Sequence, residues 1–145
     1  IELLKDYLSL AESLEDLYVV AWYQMGLGSF QILHGEIEQG IKQLKKGLSL
    51  YCQINNIFFI GTCMIGLAGA ANARHQPLEA ARLFGAREGI HESIGSKLDA
   101  GLQPIYESLV SQTRAMLDES AFEAAWAKGR AMTLDEAVEY ALKEG

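Results

Sequence analysis

Residues 1–40 overlie residues 41–80 at a shift of about 40, and no other feature constrains the fold as much. A period in this range marks stacked helical units that cannot bury their apolar faces alone. Ile1, Leu4, Lys5, Leu8, Ser9 and Leu10 meet Ile41, Leu44, Lys45, Leu48, Ser49 and Leu50. Gly26-Leu27 meets Gly66-Leu67, and Leu17-Tyr18-Val19-Val20 falls on Ile57-Phe58-Phe59-Ile60. Stacked-helix scaffolds bind far more often than they catalyse, so the repeat speaks first to architecture. Because it is already running at Ile1, we expect the chain to come from a longer protein.

Half of the 145 residues are apolar and only two are proline, which suits one all-helical domain with a substantial core. The formal net charge of −7 argues against nucleic acid or an anionic membrane as a partner, since both recruit clustered cations. Lys42, Lys45 and Lys46 are read as a solvated helix face. Cys52 and Cys63 are too few and too badly spaced for a zinc site; they read as buried thiols of a reducing, cytoplasmic compartment, with a disulfide as the alternative. The stretch from Gly47 to Ala73 carries no charge. Its apolar part, Ile57 to Ala71, falls short of the roughly 20 residues that span a bilayer, so it reads as a buried helix.

Periodicity and breakers give about eight helices. Ile1, Leu4, Leu8 and Leu10 stripe a first helix ending near Ser13–Asp16. A second runs from Leu17 to His34, and Gly35 closes it as a left-handed residue would. Ile37, Ile41, Leu44, Leu48 and Tyr51 mark a third, followed by helices over Ile57–Arg74 and Leu78–Ile94, with Pro77 at the first turn. Regular repeats thus occupy 1–95, and a degenerate repeat and cap occupy 96–145. In the latter, a loop is expected from Ser96 to Gln103 and a helix from Pro104 to Leu117. After an acidic turn at Asp118-Glu119-Ser120 comes a helix with Phe122, Ala125 and Trp126 inward, which Gly129 should loosen near its end. Thr133-Leu134-Asp135-Glu136 is a capping box opening the final helix, about Leu134–Lys143, which should cover Phe122 and Trp126.

Leu27-Gly28, Gly35 and Gly40, then Leu67-Ala68 and Ala80, stand where a tetratricopeptide unit has its small and apolar residues, although the unit is nearer 40 residues than the usual 34 or so. Further on come Glu79-Ala80-Ala81-Arg82-Leu83-Phe84-Gly85-Ala86-Arg87-Glu88, Ile94-Gly95, Phe122-Glu123-Ala124-Ala125-Trp126 and Gly129-Arg130-Ala131-Met132-Thr133-Leu134-Asp135-Glu136-Ala137. Over about 17–142 this order resembles the C-terminal tetratricopeptide-like region of large bacterial signalling ATPases and transcriptional regulators, in which an ATPase module is fused to a LuxR-type helix-turn-helix, a nucleotide cyclase or a kinase. The resemblance implies an α-α superhelix of helical hairpins with a capping helix. Gln31 and Ala71 depart from it, standing where an aromatic residue is usual. Gly26-Leu27-Gly28-Ser29 lacks the Lys and the spacing of a phosphate-binding loop and reads as close helix packing.

No catalytic constellation emerges. His34, His75 and His91 are isolated, helix-end imidazoles that read as facing solvent or capping carbonyls. Acidic pairs sit at helix starts and turns, where capping and the macrodipole account for them. We therefore expect no enzyme, cofactor or metal. By the family's alignment, the first helix of each unit lines a concave face, where Tyr18, Trp22, Met25, Ser29 and Ile32 meet Phe58, Thr62, Ile65, Gly69 and Asn72. This stripe is either core filling or an exposed aromatic wall for a protein or peptide partner, a small effector or another domain of the parent chain. The expected role is a protein-interaction and sensor module of a regulator. The alternative is a structural spacer or an oligomerisation segment such as a homodimer interface.

Overall fold

The computed structural model describes residues 2–13, 16–95 and 101–143, all-helical apart from turns. Residues 96–100 of the expected loop, like Ile1, lie outside the described residues. The elements are α1 (Glu2–Ser13), α2 (Leu17–Leu33), α3 (Ile37–Gln53), α4 (Ile57–Ala73), α5 (Pro77–Ser93), α6 (Gln103–Ala115), α7 (Glu119–Arg130) and α8 (Leu134–Lys143). Glu119, expected in a turn, is already helical, because the Asp118 carboxylate accepts from Ala121 N–H at 2.7 Å and starts the helix there. Among the described residues no helix is long and apolar enough to cross a membrane.

The repeat divides further than the sequence reading indicated. Helices α2 to α5 are each 17 residues long and begin at 17, 37, 57 and 77. The 40-residue repeat is thus two 20-residue units. Every unit ends on a left-handed residue: Gly35, Asn55, His75 and Gly95, with φ of 84°, 55°, 58° and 64°. After the first three, the next N–H reaches back to the helix's unsatisfied carbonyls: Glu36 N–H to Gln31 O at 2.8 Å, Asn56 N–H to Tyr51 O at 2.9 Å and Gln76 N–H to Ala71 O at 2.9 Å. Alternate units differ at their starts. Asp16 and Asn56 cap α2 and α4 by accepting from Val19 and Phe59 N–H, whereas Glu36 and Gln76 make no side-chain cap.

Packing follows from small residues. Helix α2 lies against α3 so closely that a Cβ added at Gly28 would come within 2.7 Å of the Gly40 carbonyl. Gly26, by contrast, has open space around it and supports no helix contact. Helix α4 pairs with α5, and α5 in turn packs broadly on α7. There Gly85 faces the Trp126 carbonyl and Gly129 faces the Arg82 carbonyl. Gly129 therefore does not loosen its helix; it lets two backbones touch. The core between hairpins holds Leu44, Leu48, Tyr51, Met64 and Phe84, all fully buried.

Helix α8 begins with the expected capping box, Thr133 N–H to Glu136 Oε1 at 2.9 Å and Glu136 N–H to Thr133 Oγ1 at 3.1 Å. It then turns back to α3, α4 and α5, burying Ala137 and Ala141. The cover over Phe122 comes from elsewhere: Ala81 of α5, Val110 of α6 and the Arg114 guanidinium, 4.2 Å from the ring. An apolar face fixes that a helix must dock but not where, which is why the sequence reading misdirected α8.

Candidate functional site

The aromatic stripe divides into an open half and a closed half. On α2, Tyr18 and Trp22 stand one turn apart and are 45% and 47% exposed, while Met25 and Ser29 are half-buried. On α4, Phe58, Thr62 and Ile65 are half-buried. Phe59 joins the two helices: its ring lies 6.1 Å from Tyr18 and 5.1 Å from Phe58, edge-on to both. Trp22 meets Tyr23 edge-on at 5.1 Å, and Tyr23 stacks on Tyr7 of α1 at 4.4 Å. The sequence reading took in neither Phe59 nor Tyr23, although both belong to this wall. The Thr62 hydroxyl donates to the Phe58 carbonyl of its own helix at 3.1 Å, which leaves the wall mainly apolar.

Asn72 does not line an open groove. It is buried and held by α6, donating from Nδ2 to Leu109 O at 3.1 Å and accepting at Oδ1 from the Thr113 hydroxyl at 2.8 Å. Gly69 beside it faces Leu109. Helix α6 thus fills the end of the stripe that Asn72 was expected to serve.

Behind the wall lies a buried polar cluster with no counterpart in the sequence reading. His91 is not a solvent-facing helix-end imidazole; it is fully buried over Gly61. Arg87, a donor only, reaches His91 Nδ1 at 3.2 Å, so Nδ1 accepts and Nε2–H donates to the Phe58 carbonyl at 3.1 Å. Burial, then the Arg87 charge, holds the imidazole below its ordinary pKa, hence neutral. Arg87 also donates to Glu88 at 3.0 Å and lies 4.5 Å from the Tyr106 ring, while the Tyr106 hydroxyl donates to Glu88 at 2.8 Å. Burial, then Glu88, pushes that hydroxyl's pKa up. The His91–Phe58 bond ties α5 to α4 and the Tyr106–Glu88 bond ties α6 to α5, while Arg87 braces both from within α5, so the cluster positions the Phe58 end of the wall. The signal for it was the 40-residue repeat, which, carried past residue 80, sets His91 in the place of buried Tyr51.

His34 and His75 do stand exposed, His34 Nδ1 with the Phe30 carbonyl at 3.0 Å. Cys52 and Cys63 are free thiols, both raised in pKa chiefly by burial. Among the described residues no three His, Cys, Asp or Glu side chains are grouped to hold a metal ion. Comparison with protein-family models, curated proteins and solved structures returns no match.

Proposed function

We propose that this chain is a non-catalytic interaction and sensor module, a tetratricopeptide-like superhelix from a bacterial transcriptional or signalling regulator, which receives a protein or peptide partner on its aromatic wall. The observation that carries the reading is the exposure of Tyr18 and Trp22. A folded domain gains little from leaving two large aromatic rings half in water, and aromatic residues with a polar tip are the commonest anchors of binding surfaces. Two turns beyond Trp22 on the same stripe of α2, half-buried Ser29 adds a small side chain. The partner in this reading is a separate protein, a peptide, or another domain of the parent chain, and the site requires no cofactor.

The spacer reading draws on a different observation, the exposure of Leu3 and Leu33 at 81% and 83%, which would suit self-association. Replacing Trp22 with the photocrosslinking residue benzoylphenylalanine in a bacterial host separates the two. The interaction reading expects a discrete cross-linked product with another protein or domain, lost when Tyr18→Lys is added. A product containing only a second copy of this chain, or none beyond that from a control at exposed Glu38, would leave the spacer as the better account.

A further inference from the structure

On the neighbouring face of α2, Leu17, Val20 and Gln24 border a cleft of about 1030 Å³ that α3 and the end of α8 complete. These positions lie roughly a third of a turn around the helix from Tyr18, Trp22 and Met25, so the cleft is separate from the aromatic wall. Its floor is aliphatic, from Val20, Leu50 and Leu142. Its rim carries Lys42, Lys45 and Lys46, spaced to project from one face of α3.

We propose that this cleft is a second binding site, one that takes an acidic peptide segment bearing aliphatic side chains. Two independent observations converge on that chemistry. In a chain of net charge −7, three cations gather at one concavity, and among the described residues none has a carboxylate within ion-pair distance. Gln24, 5% exposed at the cleft, keeps a buried Oε1 with no hydrogen-bond partner. A peptide meets both demands: its carboxylates reach the lysines and, once the Gln24 carboxamide swings its sealed oxygen toward the cleft, a backbone N–H supplies the donor that this oxygen lacks. A fatty acid would satisfy floor and rim but bring no donor for Gln24.

Fluorescence anisotropy tests the assignment with the whole chain and a labelled 12-residue peptide of repeating Leu-Leu-Glu-Glu. Saturable binding is expected, weakening as salt rises. Reversing the rim with Lys42→Glu, Lys45→Glu and Lys46→Glu should lower affinity at least tenfold, with helicity and melting near the parent's because these are surface positions. Gln24→Leu should lower affinity severalfold without lowering the melting temperature, and Trp22→Ala should leave it unchanged. The assignment is overturned by absence of saturable binding, by equal binding of a Leu-Leu-Lys-Lys control, or by indifference to the rim reversal. It is also overturned if dodecanoate binds as tightly as the peptide and neither ligand depends on Gln24.

Discussion

Gly129→Ala sets two well-measured effects against each other. In an exposed helix interior the change stabilises by about 1 kcal/mol, because alanine has the better helix propensity. At position 129, however, the new methyl would overlap the Arg82 carbonyl oxygen, lie 2.8 Å from its carbon and approach Ala86 N to 3.0 Å. Carbon–oxygen contacts relax only beyond about 3.3 Å, and every obstructing atom is backbone, so no rotamer can yield. Helices α5 and α7 must part, forfeiting contact along the seam that also holds Ala81 and Ala125. Overpacking of this kind costs about 1–3 kcal/mol, and rigid neighbours put it at the upper end. After the propensity gain, we expect a net loss of about 2 kcal/mol, a fall in Tm of roughly 4–8 °C for a chain this size. Gly26→Ala is the matched control: mid-helix, exposed and with nothing within 4 Å, it should raise Tm slightly. Thermal melts by circular dichroism read both. If Gly129→Ala raises Tm as Gly26→Ala does, the backbone contact between α5 and α7 does not exist.

Phe122→Ala should cost about 3–5 kcal/mol, since the ring is 1% exposed; Trp126, half-buried, is a poorer core reference than the sequence implied. Trp22→Ala should cost at most about 2–3 kcal/mol, half of a buried aromatic side chain's roughly 150–250 Å² at about 25 cal/mol/Å²; equal costs by chemical denaturation would make Trp22 core. His91 is neutral in the fold, so the unfolded chain takes up a proton first as pH falls through the imidazole's ordinary pKa near 6.5. Stability should therefore drop below that pH with a slope of at most about 1.4 kcal/mol per pH unit from this group, and His91→Gln should flatten it; an unchanged slope refutes the buried neutral imidazole. Asn56→Ala removes a cap and should cost about 1 kcal/mol, whereas Gln76→Ala should cost almost none, and similar losses in urea melts would contradict the alternation of caps.

Helix bounds were legible because apolar spacing, Pro77, Gly35 and the Thr133 box are local signals. The 20-residue unit was not, because consecutive helices live in different surroundings. Leu17–Leu33 and Ile57–Ala73 carry no charge, whereas Ile37–Gln53 displays Lys42, Lys45 and Lys46 to one side. Side-chain identity therefore recurs only every second helix, while the backbone recurs at each. The shared mark was the left-handed residue, and Asn55 and His75 concealed it by not being glycine, although both tolerate positive φ better than most. At the candidate site, the stripe holding Tyr18, Trp22 and Phe58 came from the alignment with the tetratricopeptide pattern, and spacing added only that Tyr18 stands one turn before Trp22. The fate of Asn72 could not, because its partners, Leu109 and Thr113, lie some forty residues away on a helix that follows no period.

The cadence of α2 to α5 also fixes how such a chain can change length. Removing one residue from a helix rotates everything beyond it by about 100°, which turns buried positions toward water. Gaining 20 residues would keep the backbone rhythm yet put a charge-bearing helix where a charge-free one belongs. Only 40 residues restore both. Duplicating 17–56 would supply its own caps, its own Gly28–Gly40 crossing and a second Tyr18–Trp22 pair, so the quantum of growth for the scaffold is also the quantum by which its aromatic wall can be extended.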